Sequence, residues 1–289
     1  MAFNEKPGWS KGQMNRIGDA LEGKRELDKD LYQQMIHWHE DLLAELYLVA
    51  VPILEKRVVV HADLLRVGQI SNDIVYSSRI KNEDTIVEKL SRLKTDLARV
   101  QDFAGARFDI DCSPATQNAV AGDLKLALEE LDCSVVKKPY LETSQYGYRA
   151  VHLHITSVAG RLELQIRNKF QAEWANTFEL LADLEGREIR YGQASRKSSV
   201  NKLIESLQRV SDAVYRFDAK EDEVDLQIQR VEKLVKDYRY SRPEDLNDFS
   251  LIEKNFTDSK KNSHRTRQDL IDSMSTIKRQ LRGVGKVMS

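Results

Sequence analysis

The run RLELQIR, Arg161–Arg167, follows YGYRAVHLHI, Tyr146–Ile155, across a short turn at Ala159-Gly160. Read with a period of two, Leu162, Leu164 and Ile166 take one side, and Glu163, Gln165 and Arg167 take the other. In the earlier run Val151, Leu153 and Ile155 oppose Tyr148, Ala150, His152 and His154. The pair reads as a β-hairpin with one apolar face and one chemically dense face.

The same alternation recurs at Ala104–Asp111, where Ala106, Phe108 and Ile110 oppose Gly105, Arg107, Asp109 and Asp111. Ser71–Ile80 reads as a further strand carrying Arg79, with Lys81 just beyond it, and Ser134–Tyr140 as a short one. Helices are predicted at about Glu83–Val100, carrying Lys89, at Gln117–Leu131, and at Asn168–Leu184. Carboxylates and arginines on adjoining strands are costly when buried and need partners. Two readings account for them: an open face laced with cross-strand ion pairs, or a polyphosphate site. In the second, carboxylates hold a divalent metal and cations hold phosphate oxygens. There is no Walker-type glycine loop.

Outward from this centre the chain is helical. Leu31, Met35, Trp38, Leu42, Leu46 and Val49 form an amphipathic stripe that starts near Glu26, and Pro52 is expected to end or kink it. His37 and His39 sit two apart on different helix faces and do not share a metal. Leu203, Leu207, Val210, Val214 and Phe217 keep a 4-3-4-3 spacing. Val224, Ile228, Val231, Val235 and Tyr238 continue it as one long helix or two around a charged turn. The stretch 244–289 is polar with a helical signal around Leu270–Leu281; from Asn255 eight Lys/Arg face three Asp/Glu, an excess of five.

The whole chain of 289 residues has a net charge of −1, which argues against a general nucleic-acid binder. It lacks a long uncharged apolar run and a signal-peptide core, so a cytoplasmic location is expected. Two cysteines, Cys112 and Cys133, are too few for a disulfide framework or a thiolate metal site.

In order, Arg79-Ile80-Lys81, Lys89, Asp102-Phe103-Ala104-Gly105-Ala106-Arg107, Gly147-Tyr148-Arg149-Ala150-Val151-His152, Glu163-Leu164-Gln165-Ile166-Arg167 and Trp174-Ala175 resemble the RelA/SpoT alarmone synthetase domain. The resemblance covers roughly residues 70–192. It implies an α+β fold: a mixed sheet of about five strands flanked by helices, nucleotidyltransferase-like, with an N-terminal helix and a C-terminal helical extension. The chain then divides into a flexible N-terminus (1–25), the synthetase domain (26–192), a helical extension (193–243) and a polar, basic tail (244–289).

The resemblance also implies chemistry. Such enzymes transfer the β,γ-diphosphate of ATP to the 3′-hydroxyl of GDP or GTP. By position, Asp102 and Glu163 are the catalytic carboxylates and Mg²⁺ ligands. Arg79, Lys81, Lys89 and Arg107 are the ATP-side cations. Tyr148 stacks on the acceptor base, and His152, Gln165 and Arg167 line the acceptor pocket. Trp174 is expected in the core and His154 on the sheet surface.

Departures cluster on the acceptor side. Tyr146 stands where small synthetases usually have Asn, and Asn168 stands where Thr is favoured. Two alternatives follow: a toxic member that pyrophosphorylates the tRNA 3′ end and has an antitoxin partner, or a degenerate nucleotide-binding protein. No adjacent His-Asp pair marks a hydrolase half, so a small synthetase-only member is expected. The C-terminal helices are read either as an oligomerisation element, which would make a homo-oligomer, or as a self-inhibiting segment.

Overall fold

The computed structural model describes residues 2–63, 74–239 and 247–288. The chain divides into two compact units. The first holds residues 1–112, 116–142 and 150–168; the second holds 113–115, 143–149 and 169–289.

The first unit opens with α1 (Lys11–Leu21), where a flexible segment is expected. The Ser10 hydroxyl accepts the Gln13 N–H, and the Gln13 side chain accepts the Ser10 N–H. This reciprocal cap satisfies two of the donors a helix start leaves open. Ile17 and Gly18 are buried, so the helix is also packed. The second helix, α2, runs Lys29–Asp63 straight through Pro52. Pro52 and Leu48, whose carbonyl the proline leaves without its helical donor, both lie on the exposed side of the helix.

Five strands follow: β1 (Ile74–Ile80), β2 (Ala104–Ile110), β3 (Ser134–Pro139), β4 (Val151–Thr156) and β5 (Arg161–Asn168). The first three residues of the strand expected from Ser71 lie outside the described residues. Between β1 and β2 lies α3 (Glu83–Leu93). It stops short of Val100 because Lys94 turns left-handed, with φ 47°. Between β2 and β3 lies α4 (Pro114–Glu129).

The sheet order is β1-β2-β5-β4-β3. Only β2 and β5 run parallel; the other neighbours are antiparallel, including the expected β4–β5 hairpin. One face is apolar: Phe108, Ile110, Leu153, Leu164 and Ile166 are fully buried. From α2, Trp38 donates its indole N–H to the Ala159 carbonyl at 2.9 Å. From α4, Gln117 donates to the Ile166 carbonyl at 2.6 Å, which satisfies polar groups inside this core. Both cysteines are buried free thiols, and burial pushes the Cys133 thiol up to about 11.

The second unit holds α5 (Lys169–Glu185), α6 (Ser198–Arg239) and α7 (Asn247–Met288). The charged stretch around Glu221 does not break α6, which is one continuous helix. The side chains of Val224, Ile228, Val231, Val235 and Tyr238 lie outside the described part. The polar stretch read as a tail is the helix α7, whose Leu270, Ile271, Met274, Ile277 and Leu281 join the cluster around Phe170, Trp174 and Phe178. An i, i+3/i+4 stripe this short within 42 residues gives a weak sequence signal yet a sufficient packing face. Inside the unit Arg267 donates to the 1%-exposed Asp218 at 2.7 Å, an ion pair that ties α6 to α7.

No helix among the described residues is long and apolar enough to cross a membrane.

Candidate active site

Strand register assembles the polar face of the sheet in rungs. Arg79 pairs with Gly105, Gly105 with Glu163, and Glu163 with His154. The next rung runs Ser77, Arg107, Gln165, His152, Lys138. The third carries Asp109 beside Arg167. Parity alone therefore sends Arg79, Arg107, His152, Glu163, Gln165 and Arg167 to one side of the sheet.

At the end of β1, the Lys81 N–H donates to the Phe103 carbonyl at 2.9 Å, which holds Lys81 beside the turn that carries Asp102. The Asn82 side chain caps α3 through the Thr85 N–H, and this helix presents Lys89 one turn further on. The Asp102 carboxylate receives both ammonium groups: Lys81 at 2.7 Å on Oδ2 and Lys89 at 2.5 Å on Oδ1. Burial alone would raise the Asp102 pKa, but the two lysines outweigh it and hold the carboxyl below its usual range.

Glu163 is 7% exposed and contacts His152 Nδ1 through Oε1. Burial pushes its acidity down and the His152 bond restores it, so Glu163 also stays below the ordinary carboxylate range. Asp102 acts on Glu163 as a like charge. The Tyr140 ring meets the His152 ring edge-on at 5.0 Å and fixes its plane.

Arg167 is 2% exposed and is bidentate to Asp109, at 2.9 and 3.3 Å. Arg107 Nε approaches the same carboxylate at 3.4 Å. The Arg167 side chain is thus committed to a cross-strand pair, and Arg107 stands at the edge of that pair. Gln165 is partly exposed between Arg107 and His152, and Arg79 is exposed on the edge strand.

Tyr148 precedes the strand that carries His152 rather than belonging to it. The alternation of YGYRAVHLHI extends to Tyr146, but β4 begins at Val151. Residues 145–148 form a turn, closed by backbone hydrogen bonds both ways between Gln145 and Tyr148, in which Tyr146 and Gly147 both have positive φ, at 55° and 89°. Tyr148 belongs to the second unit and packs, half-buried, against the cluster around Trp174. The turn is clasped within that unit. Ser211 donates to the Gly147 carbonyl at 2.5 Å, Arg149 donates to Asp212 at 2.6 Å, and the Arg149 guanidinium lies 4.2 Å above the Tyr215 ring. Trp174 is 2% exposed, as expected of a core residue, and donates to the Leu207 carbonyl at 2.7 Å.

The donor set fits a magnesium ion. Asp102 and Glu163 are like charges that a divalent cation would relieve, both are held ionised, and Mg²⁺ prefers such oxygens. Each oxygen already bonded to a lysine or to His152 keeps a lone pair for a metal.

Residues 78–182 match the profile described as a region found in RelA / SpoT proteins. An uncharacterized protein of Mycobacterium tuberculosis is 32% identical over 215 residues, covering 72% of this chain and 71% of its own. Its Mycobacterium bovis counterpart matches to the same extent. Among solved structures, small alarmone synthetase 1 of Bacillus subtilis superposes with a TM-score of 0.50 at 22% identity, over 70% of this chain and 99% of its own. That likeness speaks to the fold, and it agrees with the five-stranded mixed sheet described above.

Proposed function

We infer that this chain, which belongs to the RelA/SpoT family, transfers a diphosphate group from ATP to the 3′-hydroxyl of a guanosine nucleotide, GDP or GTP. The observation that carries the reading is a pair of ionised carboxylates that sense each other's charge: Asp102, bonded to Lys81 and Lys89, and Glu163, bonded to His152 on the arginine-bearing sheet face. A site that only bound a nucleotide would gain little from two like-charged carboxylates near polyphosphate.

In the proposed reaction the acceptor 3′-oxygen bonds to the β-phosphorus of ATP, the α–β bridging P–O bond breaks, and AMP leaves. Such transfers depend on positioning and charge neutralisation more than on covalent help. Lys81, Lys89, Arg79 and Arg107 bind the ATP phosphates. Asp102 and Glu163 would hold Mg²⁺, which supplies charge neutralisation at the phosphate oxygens when bound. Glu163 Oε accepts the hydrogen bond of the attacking hydroxyl. His152, bonded to Glu163, keeps that carboxylate aimed and is in place to share the released proton. Gln165 orients the acceptor from the same rung. Arg167 holds Asp109 and so shapes the acceptor side without needing to touch the nucleotide. Tyr148 supplies the ring that stacks on the acceptor base.

The deciding experiment offers γ-labelled ATP and Mg²⁺ with GDP, GTP or deacylated tRNA in parallel. Label on a guanosine tetra- or pentaphosphate is the expected result. Label on tRNA alone keeps the donor chemistry and replaces the acceptor. Absence of transfer to all three, by folded protein, overturns the reading in favour of binding without turnover.

A further inference from the structure

His154 has no part in the proposed transfer, yet it completes a cluster. It sits directly opposite Glu163 in the β4–β5 register, two residues along β4 from His152. One donor atom from each of His152, His154 and Glu163 lies within 4.8 Å of the other two. All three side chains leave the same sheet face, and His152 and Glu163 are buried while His154 is partly so. We propose that these three residues form a binding site for a divalent transition-metal ion of the zinc class.

Chemistry separates this site from the magnesium pair. Two imidazoles and one carboxylate are a donor set for Zn²⁺ or its neighbours, whereas Mg²⁺ prefers oxygen alone. Metal–nitrogen bonds of about 2.0–2.1 Å bring donors closer together than 4.8 Å, so small side-chain rotations about a common centre complete the site. Three protein ligands leave a coordination position open to water or a phosphate oxygen. The Tyr140 ring against His152 restricts the imidazole plane, and backbone pairing fixes the spacing of all three residues. Lys89 and Lys138 act on His154 as like charges and oppose a cation there; the Glu163 carboxylate offsets them.

Glu163 cannot serve both ions fully. On the reading given under the proposed function, a zinc-class ion at this site withdraws Glu163 from the transfer reaction. Zn²⁺ then antagonises the Mg²⁺-dependent activity.

The test uses the full chain and Co²⁺ as a spectroscopic stand-in for zinc. A visible d–d absorption band is expected, bleached by one equivalent of Zn²⁺. His154→Val should weaken Co²⁺ binding at least about tenfold with circular dichroism unchanged. No band in the unaltered protein, or a band that persists in His154→Val, overturns the site. Turnover is a separate arm: Zn²⁺ should inhibit the unaltered enzyme more than His154→Val. Equal inhibition overturns the antagonism. If no acceptor is modified at all, the proposed function fails, while the cobalt band still decides the metal site.

Discussion

Lys89 Nζ meets Asp102 Oδ1 at 2.5 Å, and Lys81 holds the other oxygen of the same carboxylate. A helix, a strand end and a turn thus converge on one acidic group. In a transfer enzyme this arrangement sets one negative charge where metal and phosphate must meet, and keeps both lysines extended toward the phosphates. Asp102→Asn removes the charge and preserves the shape. The rate of diphosphate transfer should fall by about 10²–10³-fold, as when a single electrostatic group is removed from a preorganised site. Circular dichroism and sedimentation should be unchanged. Transfer within tenfold of the unaltered rate would remove Asp102 from the mechanism.

Acid stability follows from the same residues. Burial opposes ionisation of Asp102, but Lys81 and Lys89 overcome it; burial opposes ionisation of Glu163, and His152 overcomes it. Both folded-state pKa values lie below those of the unfolded chain. Their stabilisation is therefore complete above the unfolded value, about 4, and is lost as pH falls through the folded values. The melting temperature should hold steady from neutral pH to about 5 and drop below about 4. Asp102→Asn combined with Glu163→Gln should flatten that acid limb. An identical limb in the double variant would place the acid-sensitive groups elsewhere.

The sheet was legible because its strands alternate strictly: β2 and β5 show one buried and one polar side, and a short turn joins β4 to β5. The site residues on those strands follow from parity alone. The parallel pairing of β2 with β5 was not legible, since it joins segments some sixty residues apart and no local pattern encodes it. Nor was the turn at Gln145–Tyr148, where alternation continues in sequence but two positive φ angles keep the chain out of the strand. The first helix had a readable sign, Ser10 followed three residues later by Gln13, that the polar composition around it obscured. His154 was legible as a residue of this face, but its place directly opposite Glu163 is fixed only by cross-strand register.

Gly147 tests how tightly the 145–148 turn is built. Its φ of 89° is disfavoured for any side chain, and a Cβ there would lie 2.6 Å from Trp174 Cζ2 and 3.1 Å from Gln208 Cα. Both neighbours are packed rather than free to swing: Trp174 is buried and hydrogen-bonded, and the second atom is backbone. Gly147→Ala should lower unfolding free energy by about 2–4 kcal/mol, summing backbone strain and overpacking. Chemical denaturation measures it directly. A loss under about 0.5 kcal/mol would mean the turn relaxes easily and is not held by Trp174.

Tyr148 decides whether that turn serves the acceptor. Its ring is half-buried against the Phe170 and Trp174 cluster, so simple truncation confounds packing with binding. Tyr148→Leu retains apolar bulk and removes the flat aromatic face; Tyr148→Phe keeps the face and removes the hydroxyl. A ring stacked on a base contributes roughly 1–3 kcal/mol, a factor of roughly 5–150 in the acceptor constant at 1.4 kcal/mol per tenfold. The leucine variant should raise the acceptor KM within that range, or lower kcat/KM for the acceptor by as much. The phenylalanine variant should stay close to the unaltered enzyme, and the KM for ATP should move less than twofold in both. A structural role alone predicts another pattern: Tyr148→Leu would lower the melting temperature and affect both substrates together. If instead ATP affinity alone fell, Tyr148 would belong to the donor side, and the division of the site between Lys81, Lys89 and His152 would have to be redrawn.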